Sequence, residues 1–138
     1  MVKAIGVDLW QRRDQSGNAP RATLENARAE GVEERVEILD GDLRDLPFDD
    51  GAFDVVLSSL VLHNVQERDE REAALSELAR VLSPGGYLAI VDIPYTYDYA
   101  GTLRECGLVA RRRDLLRNLA EDDGDRGGDR IKTYASNQ

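Results

Sequence analysis

Residues 36–59, VEILDGDLRDLPFDDGAFDVVLSS, contain the pattern that decides the fold. Two runs rich in Val, Ile and Leu flank an acidic loop, and Asp50-Gly51 supplies the turn into the second run. Continuous apolar strands of this kind are typical of a parallel sheet that is covered on both faces. Ligands of such sheets bind beyond the carboxyl ends of the strands. The stretch therefore predicts a binding site near Asp42 and near the pair Ser58-Ser59.

Length and composition indicate a soluble globular chain with one core. The 138 residues are 41% hydrophobic and 33% charged. A net charge of −9 and a pI near 4.6 disfavour nucleic acid as the main partner, because binding phosphates requires a basic surface. The local exception is Arg111-Arg112-Arg113. Three adjacent arginines beside an acidic tail are more typical of a solvated strand edge than of a binding patch.

The single cysteine and the hydropathy pattern predict a cytoplasmic protein. Cys106 cannot form an intrachain disulfide, and no signal sequence opens the chain. The longest mostly apolar run, residues 53–65, is interrupted by polar side chains and is shorter than the ~20 residues that a membrane-spanning helix needs. We expect no membrane segment.

Periodicity and turn signals predict alternating strands and helices. Apolar runs predict strands at residues 3–8, 36–39, 53–58 and 87–92. Helical spacing and capping signals predict helices at residues 19–30, 66–82 and 95–106. The expected caps and turns are Asn18 as N-cap before Pro20, Gly31 and Gly107 as C-terminal caps, and Ser83-Pro84-Gly85-Gly86 after the second helix.

The remaining residues are less regular. Residues 108–115 and 131–136 are predicted as an outer strand and a short last strand, while residues 121–130 contain no apolar residue and are expected to be flexible. Single helices between strands favour an α/β fold with a doubly wound, mostly parallel, Rossmann-like sheet. We assign residues 1–120 to this domain and residues 121–138 to an acidic segment with the possible last strand.

Four motifs in order carry a family resemblance. They are Gly6-Val7-Asp8, Gly41-Asp42-Leu43 with Leu46-Pro47-Phe48, FDVVLSSL at residues 53–60 with Leu62-His63-Asn64, and residues 82–88, LSPGGYL. Over residues 3–110 the chain resembles the class I S-adenosylmethionine-dependent methyltransferases that act on small molecules. The resemblance implies S-adenosylmethionine as cofactor and a small-molecule methyl acceptor.

The resemblance also implies roles for individual residues. Asp8 would accept hydrogen bonds from the ribose hydroxyls, with Leu9 and Trp10 beside it, and Asp42 would accept from the adenine amino group. The further predicted cofactor contacts are Leu43, Ser58 and Ser59. Three alternatives stay open: an N-cap or a solvated strand end at Asp8, a turn residue bonding its own backbone at Asp42, and a hydrophobic lid at Trp10.

Methyl transfer needs alignment more than a dedicated base, because the cofactor carries the reactivity. His63 is the only histidine, and it could take a proton from an oxygen or nitrogen acceptor. We favour a packing or loop-ordering role for it. Tyr95, Tyr97 and Tyr99 line an acceptor pocket in one interpretation and form a helix face packed on the sheet in the other.

One feature of the resembled family is missing. Its members begin with a strand, a glycine-rich loop and a helix ahead of the segment that Gly6 opens, and no two glycines stand two apart anywhere in this sequence. The missing strand would lie centrally, so two inner edges are expected to close on each other, pair with another copy as a homo-oligomer, or aggregate. The sequence therefore predicts an N-terminally truncated product, a mis-set start site or a degenerate relative.

Three functions fit these observations. The favoured one is a methyltransferase domain whose activity is reduced or lost without the glycine-rich loop. The second is a non-enzymatic remnant that acts as an interaction or oligomerisation module through its open edges. The third is a nucleotide binder of the NAD type, which the absence of a G-x-G-x-x-G motif disfavours.

Overall fold

The structure is a computed structural model, and it describes residues 2–9, 19–93, 95–114 and 131–136. The chain divides into two compact units, Met1–Pro47 and Phe48–Gln138. The predicted flexible residues 121–130 lie outside the described part. No helix in the described ranges has both the length and the apolar composition needed to cross a bilayer.

The first unit is a two-stranded parallel sheet with one helix. Its strands are β1 (Ala4–Asp8) and β2 (Val36–Asp40), its helix is α1 (Pro20–Ala29), and a 3₁₀ turn covers Glu33–Arg35. The two strands run in parallel with Asp8 opposite Asp40, so both carboxyl ends lie at the same edge. β1 has β2 as its one partner among the described strands.

The ends of α1 show one error in the prediction. Ala19, rather than Asn18, occupies the N-cap position, and its backbone is extended with no side-chain cap. The cause is Pro20, which disfavours a helical conformation for the residue before it. At the other end Gly31 adopts a φ of 69°, as expected of a residue that terminates a helix.

The second unit is a four-stranded sheet covered by two helices. It consists, in chain order, of β3 (Phe53–Ser59), a 3₁₀ turn (Leu62–Asn64), α2 (Arg68–Val81), β4 (Leu82–Asp92), α3 (Thr96–Glu105), β5 (Val109–Asp114) and β6 (Ile131–Ser136). The spatial order is β3-β4-β6-β5. β3 and β4 are parallel, whereas β6 is antiparallel to both β4 and β5. The predicted last strand is confirmed at residues 131–136, and it lies inside the sheet.

β4 begins earlier than predicted. The Ser83-Pro84-Gly85-Gly86 segment is a bulge within the strand, because Asp54 alone on β3 faces these four residues between the Phe53–Leu82 and Val55–Tyr87 pairs. A Cβ on Gly86 would lie 2.9 Å from the Asp54 carbonyl oxygen, so glycine is required there. The helix prediction was correct, but the turn signal marked a bulge in the following strand.

The core of the second unit lies on one face of its sheet. Buried apolar side chains come from α2, α3 and β4: Leu75, Leu78, Val81, Leu88, Ile90, Tyr99 and Leu103. Alternate residues of β3 and β4 point to the other face, where Val55, Leu57 and Tyr87 are exposed. β3 has β4 as its one partner among the described strands, so its other edge carries no ladder there.

Candidate functional site

The predicted site residues are divided between the two units, and each group is described within its own unit. In the first unit, the loop after β2 approaches the end of β1. The Gly41 N–H donates to the Asp8 carbonyl oxygen at 3.2 Å. A Cβ on Gly41 would lie 2.7 Å from Cγ1 of Val7, so this approach requires glycine. Asp42 follows directly, and Asp8 and Asp42 therefore meet at the same edge of the unit.

Asp42 forms a turn with Arg44. Its Oδ1 accepts from the Arg44 backbone N–H and from Nε, both at 2.9 Å, and its Oδ2 accepts from Nη2. The side-chain hydrogen bond from Arg44 holds the pKa of Asp42 below its usual range, so this carboxylate is ionised at neutral pH. Asp42 therefore forms a turn with its own backbone in this structure, as one of the two sequence interpretations proposed.

The residues of this edge fit the adenosine half of S-adenosylmethionine. Ribose hydroxyls and an adenine amino group are hydrogen-bond donors, and an ionised carboxylate only accepts. Leu43 is half-buried beside Asp42, and Leu9 is half exposed beside Asp8. A carboxylate has about four acceptor sites, and Arg44 supplies its backbone N–H, Nε–H and Nη2–H, so Asp42 keeps acceptor capacity for a ligand. Trp10 lies outside the described residues.

In the second unit, β3 ends in two serines that face opposite ways. Ser58 is buried on the face that the helices cover, and Ser59 is exposed on the other. Leu60 then adopts a left-handed backbone with a φ of 55°, held by its N–H, which donates to the Val91 carbonyl oxygen at 2.7 Å. Leucine in this conformation is strained by about 1–2 kcal/mol. Such strain is frequent at functional sites.

A histidine–aspartate pair joins the ends of β3 and β4. His63 Nδ1 lies 2.7 Å from Asp92 Oδ1, and the His63 backbone N–H donates to Oδ2 at 3.0 Å. The Asp92 side chain has no solvent exposure, whereas 32% of the His63 side chain is exposed. The contact through Nδ1 agrees with the sequence interpretation of His63 as a loop-ordering residue. The second ring nitrogen, Nε2, takes no part in that contact.

Two further donors complete the shell of Asp92. The Ile93 N–H donates to Oδ1 at 2.8 Å, and the buried Tyr99 hydroxyl donates to Oδ2 at 3.3 Å. Burial, together with the negative charge of Asp92, raises the pKa of Tyr99 well above its usual range, so the phenol keeps its proton. Each oxygen of Asp92 therefore has two partners, which satisfies this buried carboxylate.

Arg71 fixes the loop that carries His63. Its Nη1 donates to the carbonyl oxygens of Val65 and Gln66 at 2.8 and 2.5 Å. The guanidinium carbon also lies 4.2 Å from the ring centroid of Tyr95, whose backbone is left-handed with a φ of 68°. The loop after β3 is thereby linked to the residue that precedes α3.

The three tyrosines after β4 have different environments. Tyr99 is packed in the core, as one interpretation predicted, whereas Tyr95 and Tyr97 are exposed. Arg112 lies 3.6 Å from the ring centroid of Tyr97 and donates to Thr96 Oγ1 at 3.1 Å. β5 is an outer strand as predicted, but Arg112 is half-buried rather than merely solvated.

Sequence reasoning gave no role to Asp92 or Arg71. Asp92 closes an apolar strand just as Asp8 does, and that same signal could have identified it. Arg71 offered no signal, because an arginine in an amphipathic helix is normally a surface residue. Among the described residues, no group of three or more His, Cys, Asp or Glu could hold a metal ion.

Comparison with known proteins decides the family. The family described as "Methyltransferase domain" matches residues 3–90. The chain belongs to the class I S-adenosylmethionine-dependent methyltransferases. This result confirms the predicted family and S-adenosylmethionine as its cofactor.

Curated relatives of this methyltransferase domain are similar over part of their length. It is 39% identical over 90 residues to the chloroplastic 2-phytyl-1,4-beta-naphthoquinone methyltransferase of Arabidopsis thaliana, covering 65% of this chain and 32% of that protein. It is 42% identical over 69 residues to the glycine/sarcosine/dimethylglycine N-methyltransferase of Actinopolyspora halophila, covering 49% and 12%. The chain thus spans about a third or less of the length of these relatives.

Solved structures share the fold of the methyltransferase domain. An O-methyltransferase family protein of Burkholderia thailandensis has a TM-score of 0.75 at 20% identity, covering 99% of this chain and 44% of that one. A geranyl diphosphate methyltransferase in complex with SAM has a TM-score of 0.69 at 16% identity, covering 99% and 69%. These matches confirm the α/β, Rossmann-like fold class.

Proposed function

We propose that residues 1–120 act as one methyltransferase domain, which transfers the methyl group of S-adenosylmethionine to a small-molecule acceptor. The observation that best supports this proposal is the Gly41–Asp8 contact, which brings two strand-end carboxylates to one edge. In this proposal Asp8 accepts from the ribose hydroxyls, and Asp42 accepts from the adenine amino group with the acceptor capacity that Arg44 leaves. The other contacts are Leu9, Trp10, Leu43, Ser58 and Ser59.

We further propose that residues 1–138 bind the adenosine half of the cofactor and give the methionine half little affinity. The sequence contains no G-x-G, the pattern that lets backbone approach a ligand closely beside a helix N-terminus. Methyl transfer by these residues alone is therefore slow, because the methyl group is poorly aligned.

The names of the relatives suggest two acceptor classes. One relative is named for glycine, sarcosine and dimethylglycine, and another, from Clavibacter sepedonicus, is a demethylmenaquinone methyltransferase that is 47% identical over 60 residues, covering 44% of this chain and 23% of that protein. We propose that the acceptor is a small amine or a hydroxylated ring. Sarcosine and a 1,4-naphthoquinol are the probes that represent these classes.

Assembly and location belong to the same proposal. β1 and β3 each have one edge that is not paired with another strand in the described sheets, which supports self-association. Light scattering after size-exclusion chromatography measures the oligomeric state. Cys106 is free and exposed, which favours a reducing cytoplasm. A strictly monomeric protein at high concentration would contradict the self-association.

Calorimetric titration tests the cofactor site. S-adenosylmethionine, S-adenosylhomocysteine and adenosine are titrated into the protein, with NAD as a control ligand. We expect the first three to bind within about threefold of one another, and Asp8→Asn and Asp42→Asn to weaken each by about tenfold, the loss of one charge-assisted hydrogen bond. The exposed Asp49 provides the matched control, Asp49→Asn. A folded sample that gives no heat with any adenosine ligand would overturn the proposal.

A further inference from the structure

We propose that His63 is the general base of this domain and that Asp92 is the residue that positions it. The inference rests on the proposed function and adds the acceptor class: an amine or a hydroxylated ring whose N–H or O–H proton must be lost during methyl transfer. Both residues and all their described contacts belong to the second unit.

The four partners of Asp92 determine which ring nitrogen of His63 carries the proton. Backbone N–H groups of His63 and Ile93 and the Tyr99 hydroxyl all donate to the carboxylate. A carboxylate satisfied by donors on both oxygens is an acceptor, so the 2.7 Å contact with Nδ1 is a hydrogen bond donated by Nδ1–H. In the neutral imidazole, Nε2 then has a free lone pair.

The His63 side chain is partly accessible. About a third of it is exposed, while its partner Asp92 is fully buried. Within the described part of the chain, Nε2 has no hydrogen-bond partner. One ring nitrogen oriented by a buried carboxylate and one basic nitrogen left unoccupied form the arrangement that general base catalysis requires.

The surroundings hold the imidazole in place. Leu62, immediately before His63, is fully buried and anchors the 3₁₀ turn. Arg71 donates to the two carbonyl groups that follow this turn and stacks on Tyr95. Asp92 therefore holds the ring, while the buried Leu62 before His63 and the Arg71 contacts after it hold the backbone. Such positioning of a base by packed neighbours is needed for efficient proton transfer.

The proton transfer balances the methyl transfer. The bound cofactor supplies an electrophilic methyl carbon on a sulfonium. As the acceptor atom, an amine nitrogen or a ring carbon activated by its neighbouring hydroxyl, bonds to that carbon, the C–S electron pair would pass to sulfur, and His63 Nε2 would take the proton that the amine or the ring hydroxyl loses. The buried Asp92 carboxylate stabilises the resulting imidazolium through Nδ1–H. A tertiary amine has no such proton, so its methylation would not use His63.

Nitrogen NMR of the single histidine tests the geometry directly. Because the chain has one histidine, its ring ¹⁵N signals need no assignment. In the neutral form of the ring, we expect Nδ1 to be protonated and Nε2 to be the bare nitrogen. Asp92→Asn keeps the size of the side chain and should move the proton to Nε2, whereas Asp49→Asn and Tyr99→Phe should leave it on Nδ1. An Nε2–H tautomer in the unaltered protein would overturn the inference.

Kinetics separate a base from a structural histidine. With saturating S-adenosylmethionine, methyl transfer to sarcosine and to a 1,4-naphthoquinol is measured for the protein and for His63→Asn. We expect kcat to fall by about 10²-fold or more with unchanged cofactor affinity, and Asp92→Asn to lower kcat as well. A His63→Asn variant that transfers the methyl group normally would overturn the inference while leaving the proposed function intact. Failure of the unaltered protein to bind cofactor or to methylate either probe counts against the proposed function, and the tautomer then decides the inference by itself.

Discussion

The two units each place an aspartate just beyond a strand end, and the two carboxylates are used in opposite ways. Asp42 is partly exposed and is held by Arg44, two residues away in sequence. Asp92 is fully buried and holds His63, 29 residues away. An exposed carboxylate with a local partner remains available to a ligand, whereas a buried one with four donors belongs to the fixed framework of a site.

This difference separates binding residues from positioning residues. Replacing a solvated carboxylate mainly changes what the site can bind, because water can solvate the arginine that it leaves. Replacing a buried carboxylate leaves its hydrogen-bond donors unpaired where water does not reach them. Matched substitutions in the two units should therefore differ in their cost to stability.

Asp92→Ala should lower the free energy of unfolding by about 3 kcal/mol or more, because it leaves two backbone N–H groups and the Tyr99 hydroxyl without an acceptor. Asp42→Ala should cost about 0.5 kcal/mol, the value of a surface ion pair. Urea denaturation measures both. Equal losses in the two variants would show that burial does not distinguish these carboxylates.

Gly41→Ala should destabilise the first unit by about 1–3 kcal/mol, since its Cβ would overlap the stiff, branched side chain of Val7. Val7→Ala combined with Gly41→Ala should recover part of the loss. The matched control is Gly101→Ala, which lies within α3 where nothing is within 4 Å of the added Cβ. It should stabilise the protein by about 0.5–1 kcal/mol through helix propensity. The same sign for both glycines would contradict the close approach at Gly41.

Two arginines extend the comparison. Arg71→Met should lower stability by about 1–2 kcal/mol, because it removes two hydrogen bonds from a buried guanidinium to loop carbonyls and the contact with the Tyr95 ring. Arg44→Met should change stability by less than about 0.5 kcal/mol. Hydrogen exchange around residues 62–67 should rise in the first variant alone, and unchanged exchange there would argue against a loop-fixing role for Arg71.

The smallest effect is the response of Asp42 to pH. Arg44 lowers the pKa of Asp42 in the folded protein. The stability that the ionised Asp42 carboxylate contributes is therefore present above the unfolded-state pKa of ~3.9. It is lost as the pH falls through the pKa of Asp42 in the folded state. Carbon-detected NMR titration should show the Asp42 midpoint rising toward the ordinary value in Arg44→Met. An unchanged midpoint would mean that Arg44 does not hold this carboxylate in solution.

Local patterns in the sequence predicted most of the fold. The apolar spacing of residues 66–82 and the short run at residues 131–136 were sufficient for α2 and β6. The bulge at residues 83–86 was not predicted, because Ser-Pro-Gly-Gly gives the same signal for a turn and for a bulge. The difference depends on whether β3 lies alongside, which is a tertiary fact.

Site residues were predictable where their position depends on nearby sequence. Asp8, Asp42 and His63 stand at strand ends that hydrophobic runs reveal, and Ser58 and Ser59 follow from the same rule. The sequence did not reveal what these residues bind, since Arg44 beside Asp42 and Asp92 beside His63 are matters of side-chain geometry. The cofactor contacts remain predictions, which calorimetric titration tests. They are assigned to Asp8, Leu9, Trp10, Asp42 and Leu43.

The position of β6 determines when the second unit can fold during synthesis. β6 is the last described strand in sequence, yet it lies between β4 and β5 and pairs with both along its whole length. Until residues 131–136 have emerged from the ribosome, no strand connects β4 to β5 by hydrogen bonds. Both strands then expose an unpaired edge in the nascent sheet. Completion of this sheet is therefore a late event that depends on contacts between distant residues. Chaperones should therefore be needed to protect the nascent chain until β6 has been made.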